Sequence, residues 1–191
     1  MLQPRYLLHT GEGDRFGEAV HHIDVYAFDS LGIYRKMFRD KGAHLKNGYR
    51  MPIDLPEGKW TFLCLGGKVG DYEIGIFKTG IPQQFSPAVS PGITTLSDFR
   101  VKAYFEQKEN LEYSLGELFF GRLDSVEITA DNGGTGVVDL MKNTNKIEVR
   151  VKGIADGSSA RITSDNGRFN SENVTPVSYT HLRAHETCAD L

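Results

Sequence analysis

His21 and His22 stand side by side in AVHHIDVYAF, and metal binding is the first chemistry that two adjacent imidazoles suggest. Neighbouring strand residues point to opposite faces, however, so the pair cannot chelate one ion together and reads as two strand-edge histidines. A second set, His181, His185, Glu186 and Cys188, has histidines at i and i+4, a spacing that shares one helix face. It lies on a terminus with nothing to orient the ligands, so metal binding is not expected there either. The glycines of LGGKVGDY (65–72) lack the G-x-x-x-x-G-K-[ST] order, and no helical pattern follows them. Phosphate cradling is therefore absent, and a strand-terminal loop is expected. DNGGTG (131–136) and SDNGRFNSEN (164–173) have the look of calcium loops. The first has no carboxylates at alternate positions, and neither ends on a bidentate glutamate at the required spacing. Asn and Gly at such places mark turns with positive φ. Cys64 sits mid-strand among apolar neighbours, as a buried, inert thiol does. Carboxylates are plentiful, but none are paired as an acid/base couple, and no Ser/His/Asp order stands out from chance. No catalytic, cofactor-binding or metal-ligating residue is assigned, and the expectation is a protein that is not an enzyme.

The elements that would position any such group are strands. Tyr49, Met51, Ile53 and Leu55 share one face, with Arg50, Pro52 and Asp54 on the other, before a Pro-Glu-Gly turn at 56–58. KWTFLCLGG follows, with Trp60, Phe62 and Cys64 on one side and Thr61, Leu63 and Leu65 on the other. It is apolar on both faces, which predicts a central strand. Phe99, Val101, Ala103 and Phe105 alternate with Arg100, Lys102, Tyr104 and Glu106, as in a strand with one wet face. Val126, Ile128 and Ala130 repeat that pattern, and His22–Phe28 and Ile33–Phe38 flank Asp29-Ser30-Leu31-Gly32 as a hairpin. No window carries a full helical stripe; the best, Glu109 to Phe120, is interrupted by Gly116 and predicts at most a short turn. The pattern predicts an all-β sandwich whose core includes Trp60, Phe62, Ile53, Val25, Val101 and Ile128.

Bulk properties exclude several classes. The chain has 191 residues, a net charge of -3, 39% hydrophobic and 25% charged residues, ordinary for one globular domain and part of another. Lys and Arg are scattered, so a nucleic-acid partner has no electrostatic footprint. Cys64 and Cys188 lie in no C-x-x-C or Cys/His spacing, which argues against a disulfide framework and structural zinc. MLQPRYLLHTGEGDRFGE has no apolar core of signal-peptide length, and no stretch approaches a membrane span, so these residues by themselves read as a soluble, cytosolic start. Strands up to about residue 142 would complete one sandwich, whereas those from Lys146 onward have too few partners for another. Between them, Lys142-Asn143-Thr144-Asn145-Lys146 reads as a joint between domains, a polar interruption in one long strand, or a hairpin turn.

LMKNTNKIEVRV (140–151) resembles the hallmark segment of the FimB-type fimbrial anchor and minor-subunit family of Bacteroidales, whose members build type V pili. HHIDVYAFDSLGIY (21–34) is similar to that family's early strand, turn and strand, and MPIDLPEGKWTFLCLGG (51–67) to its turn and aromatic strand. LGELFFGR (115–122) matches its short segment before the last strands. The likeness spans about residues 16–155 and keeps the order of these motifs. It departs where the family has tryptophan-glycine-glycine and this chain has Leu65 before Gly66-Gly67.

The resemblance implies tandem transthyretin-like, Greek-key β-sandwiches. The chain then divides into a lead-in (1–15), an N-terminal sandwich (16–145), the first strands of an incomplete second sandwich (146–176) and a tail (177–191). Val137 to Met141 would close the first sandwich, Ile147 to Val151 would open the second, and Lys142 to Lys146 would be the joint. The tail contains SYTHLRAHET, which resembles translated sequencing-adapter text, and is expected to be unpacked and dispensable. The implied function is a structural pilus subunit, an anchor or minor accessory one. Its implied partners are other fimbrial subunits, joined by β-strand exchange, and the outer membrane at the cell surface, reached through a lipid anchor upstream of Met1. No cysteine precedes Cys64, so a lipidated protein would be longer than this chain at the N-terminus, and the unfinished second sandwich implies the same at the other end. The competing reading is a non-fimbrial surface β-sandwich module that binds glycan; Trp60 and Tyr72 are the only aromatics that tempt it, and Trp60, in the most apolar strand, fits core packing better.

Overall fold

A computed structural model describes residues 1–7, 13–78, 84–104, 115–131, 133–144 and 168–174. In chain order the elements are β1 (Leu2–Arg5), a short helix α1 (Phe16–Ala19), β2 (His22–Phe28), β3 (Tyr34–Lys41), β4 (Gly58–Gly67), a 3₁₀ turn (Val69–Asp71), β5 (Tyr72–Lys78), β6 (Gln84–Ser86), β7 (Phe99–Ala103), β8 (Leu118–Ile128), β9 (Gly136–Asp139), β10 (Met141–Lys142) and β11 (Arg168–Asn170). An antiparallel five-stranded sheet runs β10-β8-β4-β2-β3, an antiparallel four-stranded sheet runs β11-β7-β5-β6, and β1 pairs in parallel with β9. The all-β expectation holds, and strands dominate the described residues.

β4 is central, as its two apolar faces predict, lying between β8 and β2. Trp60, Phe62 and Cys64 enter one core with Ile23, Val25, Ala27, Leu2, Val138 and Leu140. Leu63 and Leu65 enter the other, with Tyr26, Phe28, Phe99, Val101 and Phe169. The five-stranded sheet is therefore a middle layer with the four-stranded sheet on one face. β1, β9 and the segment around Leu45 and Met51 cover its other face. Leu65, where the resemblance departs, is fully buried in the second core, so an aliphatic side chain occupies this place.

The β2–β3 hairpin forms as expected. Asp29 Oδ1 accepts the Leu31 and Ile33 backbone N–H groups at 2.9 and 3.0 Å, an Asx-type turn that closes the loop. Gly67 at the end of β4 has φ +91°, and a Cβ there would come within 2.3 Å of Glu117 O, so only glycine fits.

Three expectations need correction. Residues 49–55 are not a strand of a sheet: the alternation is right, with Met51 buried and Tyr49, Ile53 and Leu55 packed on the first core, but among the described residues their ladder contact is the single bridge Leu2 to Met51. Pro52 has no N–H to extend it. Ile53 is accordingly only partly buried, while Trp60, Phe62, Val25, Val101 and Ile128 are buried as expected. Of the window Glu109 to Phe120, residues 109–114 lie outside the described residues, and its last three, Leu118 to Phe120, are not a turn but the start of the 11-residue strand β8, which runs on through Val126 and Ile128. A register shift opposite Trp60/Phe62, with Ser125 at φ 58°, breaks its alternation. The extra residue returns Val126 to the face that Leu123 already uses, so both pack on the first core.

Within 146–176, residues 168–174 are described. β11 pairs with β7 (Phe169 opposite Val101), which places Phe169 in the second core. The expected strand Ile147–Val151, Asn145 and Lys146 of the joint, and the tail 177–191 lie outside the described residues.

Candidate functional site

The residues considered for chemistry are dispersed. His21 is exposed in a bend before β2, and His22 Nε2 lies 2.9 Å from Asp24 Oδ1. Asp24 is fully buried, and Arg39 on β3 donates to both its oxygens at 2.7 Å. That bidentate bond holds the Arg39 guanidinium above its usual range. Asp24 therefore anchors the β2–β3 pair, where its strand partner is Arg39 itself. Cys64 is fully buried, and desolvation pushes its thiol well up, as an inert core cysteine requires. LGGKVGDY ends β4 and passes into the 3₁₀ turn and β5. In DNGGTG, Gly133 and Gly134 have φ of 59° and 62°, and Asn173 of the second turn segment has 61°, the left-handed turn positions expected there. Among the described residues no group of three His, Cys, Asp or Glu side chains comes together. His181, His185, Glu186 and Cys188 lie outside them.

Neither aromatic of the glycan reading is displayed. Trp60 is 5% exposed, with Nε1 donating to Pro56 O at 3.1 Å, and Tyr72 is half-buried with its hydroxyl donating to Gly116 O at 2.9 Å. An open cleft of about 520 Å³ beside Trp60 is lined by Asp29, Arg35, Lys36, Asp54, Leu55 and Pro56. Its charges are already paired, Arg35 with Asp29 at 2.6 Å and Lys36 with Asp54 at 3.6 Å.

The arrangement best suited to assembly is the bed of β1. This extended segment buries Leu2 and Pro4 at alternate positions and pairs along β9. On its other side Leu2 exchanges two backbone hydrogen bonds with Met51, at 2.8 and 2.9 Å. Arg5, opposite Asp139 in the ladder, also pairs with it through the side chains. A groove of this kind reads an inserted strand by main-chain bonds along its length and by pockets for every second side chain. Elsewhere, β3 and β6 are outer strands of their sheets, and β3 carries Arg35, Lys36, Arg39 and Lys41, the charged edge that discourages indiscriminate pairing.

The fold is shared with solved proteins of Bacteroides and Porphyromonas. A Bacteroides thetaiotaomicron VPI-5482 protein described as an adhesin is 25% identical with a TM-score of 0.70, over 92% of this chain and 57% of its own. A protein of the same organism, described as polysaccharide-binding, is 19% identical with a TM-score of 0.68, over 92% and 61%. The fimbrial anchor protein Mfa2 of Porphyromonas gingivalis is 18% identical with a TM-score of 0.69, over 93% and 62%. The chain thus spans about three fifths of the length of the solved proteins it matches. No curated protein matches it. The family model of the fimbrillin-A associated anchor proteins Mfa1 and Mfa2 matches residues 1–182, and with the shared fold this bears out the fimbrial resemblance of the sequence motifs. The chain belongs to that anchor-protein family.

Proposed function

We propose that the chain is part of a cell-surface fimbrial subunit, an anchor or minor accessory one, which joins neighbouring subunits by β-strand exchange and carries out no catalysis. The family match over residues 1–182 is the observation that carries this reading. Support for strand exchange in particular comes from β1, whose bed between β9 and Met51 already takes an extended segment with alternate residues inserted. A strand from a neighbouring subunit would meet the same main-chain groups and the same pockets. The proposed location is the outer membrane, through a lipid attached upstream of Met1; among the described residues no helix is long and apolar enough to cross a membrane.

The test is co-expression of the full-length protein with the fimbrial subunits of the same cells, followed by affinity capture and gel analysis without boiling. A complex that resists detergent until heated is expected, with Val137→Cys on β9, the residue that Gln3 faces in the groove, cross-linking to a cysteine on the inserted partner strand. Recovery of the folded protein alone, under conditions in which the other subunits polymerise, would overturn the assembly role. Metabolic labelling with palmitate tests the anchor separately, and absence of label from the full-length protein would remove it.

A further inference from the structure

The outer face of the four-stranded sheet is used by none of the features above. Ile74, Val101 and Phe169 point inward to the second core, so the alternate residues Glu73, Gly75 and Phe77 of β5, Arg100 and Lys102 of β7, and Arg168 of β11 lie on the opposite face. Phe77 and Phe85 meet edge to face with ring centroids 5.9 Å apart. Three cations converge on this pair. Arg168 stands 4.8 Å and Arg100 5.8 Å from the centre of Phe77, and Lys102 is 5.3 Å from that of Phe85. Gly75 is buried where the chain after Phe85 crosses it, since a Cβ there would come within 2.0 Å of Ser86 O and 2.9 Å of Phe85 Cζ. The described acid on this face is Glu73, which bonds Lys102 at 3.2 Å, and among the described residues Arg100 donates to the carbonyls of Ser97 and Phe99. A chain of net charge -3 thus concentrates positive charge and aromatic surface on one sheet face.

We propose that this face binds an anionic polysaccharide, with the sugar rings resting on Phe77 and Phe85 and the carboxylates or sulfates meeting Arg100, Lys102 and Arg168. Charge complementarity selects an anion. The rings select a sugar over an acidic peptide. A peptide is read through main-chain bonds at a sheet edge, and a sheet face offers none, whereas the C–H face of a pyranose packs on an aromatic ring flanked by cations. This site is separate from the β1 groove and does not depend on strand exchange.

The experiment measures binding of the full chain to polygalacturonate, neutral dextran, poly-glutamate and single-stranded DNA by biolayer interferometry at low and high salt. Polygalacturonate should bind and dextran should not, and binding should weaken as salt rises. Arg100→Gln with Arg168→Gln should weaken it about tenfold, since each exposed ionic contact is worth a few-fold. Phe85→Leu should weaken polygalacturonate binding and leave any residual poly-glutamate binding unchanged. Far-UV circular dichroism and thermal melts confirm that the variants fold. Poly-glutamate or DNA bound as tightly as polygalacturonate would overturn the sugar assignment. No binding by the parent, or full binding by the double variant, would overturn the site.

Discussion

Truncating Trp60 to alanine tests the two-core reading most directly. The side chain is 5% exposed, packs in the first core from the central strand, and donates Nε1–H to Pro56 O at 3.1 Å. An aromatic of this size buries about 150–250 Å², or roughly 4–6 kcal/mol at about 25 cal/mol per Å². Alanine retains part of that burial, and large-to-small changes of this kind cost about 3–5 kcal/mol. Against a total stability of about 5–15 kcal/mol this is a large fraction. For a chain of this size it should lower the melting temperature by roughly 6–20 °C, at about 2–4 °C per kcal/mol. Far-UV circular dichroism is the appropriate assay, because Trp60 is the only tryptophan and its fluorescence leaves with it. Trp60→Phe separates packing from hydrogen bonding: it keeps a ring but strips Pro56 O of its donor, at a cost of about 1–2 kcal/mol. A Trp60→Ala protein melting within about 2 °C of the parent would refute the assignment of Trp60 to the core. Equal losses in both variants would show that the hydrogen bond, and not the packed ring, is the stabilising feature.

Gly121→Val should destabilise by about 1–3 kcal/mol, because its Cβ would stand 2.8 Å from Asp139 O, Leu140 Cδ2 and Val138 Cγ2 where β9 crosses β8. Gly70→Ala, with nothing within 4 Å, is the matched control in the same urea titration. Arg39→Met should cost more than Asp24→Asn. The first leaves a fully buried carboxylate with His22 alone, about 3–5 kcal/mol, while the second leaves a half-exposed guanidinium in reach of water, about 1–2 kcal/mol. Urea midpoints in the reverse order would show that the pair is not organised around Asp24. Acid should weaken the fold through Asp29 and Asp40. Burial works to raise Asp29, but hydrogen bonds from Ile33, Arg35 and Leu31 outweigh it. The Tyr49 hydroxyl and His44 hold Asp40 low. Depressed carboxylates contribute stability that is complete above their unfolded pKa of about 4 and is lost as pH falls through the lower folded value. The urea midpoint should therefore fall below about pH 4, and less steeply in an Asp29→Asn, Asp40→Asn protein.

What the sequence shows and hides follows from where the packing partners lie. β4 is legible because both of its faces are covered, so its own residues record the middle layer. The β2–β3 turn is legible because Asp29 caps it locally. β8 is legible only in its second half: Val126 and Ile128 share the core face as their spacing predicts, but Ser125 shifts the register, so a period of two does not carry back to Leu123. The candidate surface is the hardest to see. Arg100 and Lys102 already mark a wet face in the alternation of FRVKA, but Phe77, Phe85 and Arg168 join them only across strands, through pairings that no local pattern encodes. Trp60 and Tyr72 attract attention by residue type alone, and both are withdrawn into the fold.

The stretch from Gly136 to Thr144 shows how one segment can serve two sheets. Gly136–Asp139 runs parallel to β1, with Val138 buried; Leu140 stays in the same core, and its N–H bonds Arg5 O at 2.8 Å. One residue later Met141 and Lys142 pair antiparallel with Phe120 and Phe119 of the five-stranded sheet. Val137 and Met141, at 45% and 57% exposure, take the outward positions of that path, so the apolar run reads as one strand although it changes partner midway. The polar residues that follow complete the ladder where regular pairing stops. Asn143 N–H donates to Leu118 O at 2.7 Å, and Thr144 Oγ1 accepts the Leu118 N–H at 3.3 Å. Side chains that can stand in for a strand neighbour are needed where a chain leaves a sheet. Asn143 and Asn173 exchange amide hydrogen bonds as well, tying this exit to the segment that carries β11. Asn143→Leu should therefore loosen β11 first, raising hydrogen exchange at Phe169 and Asn170 ahead of the β4 amides. Equal acceleration at both would show that Asn143 supports the whole sandwich and not the returning strand.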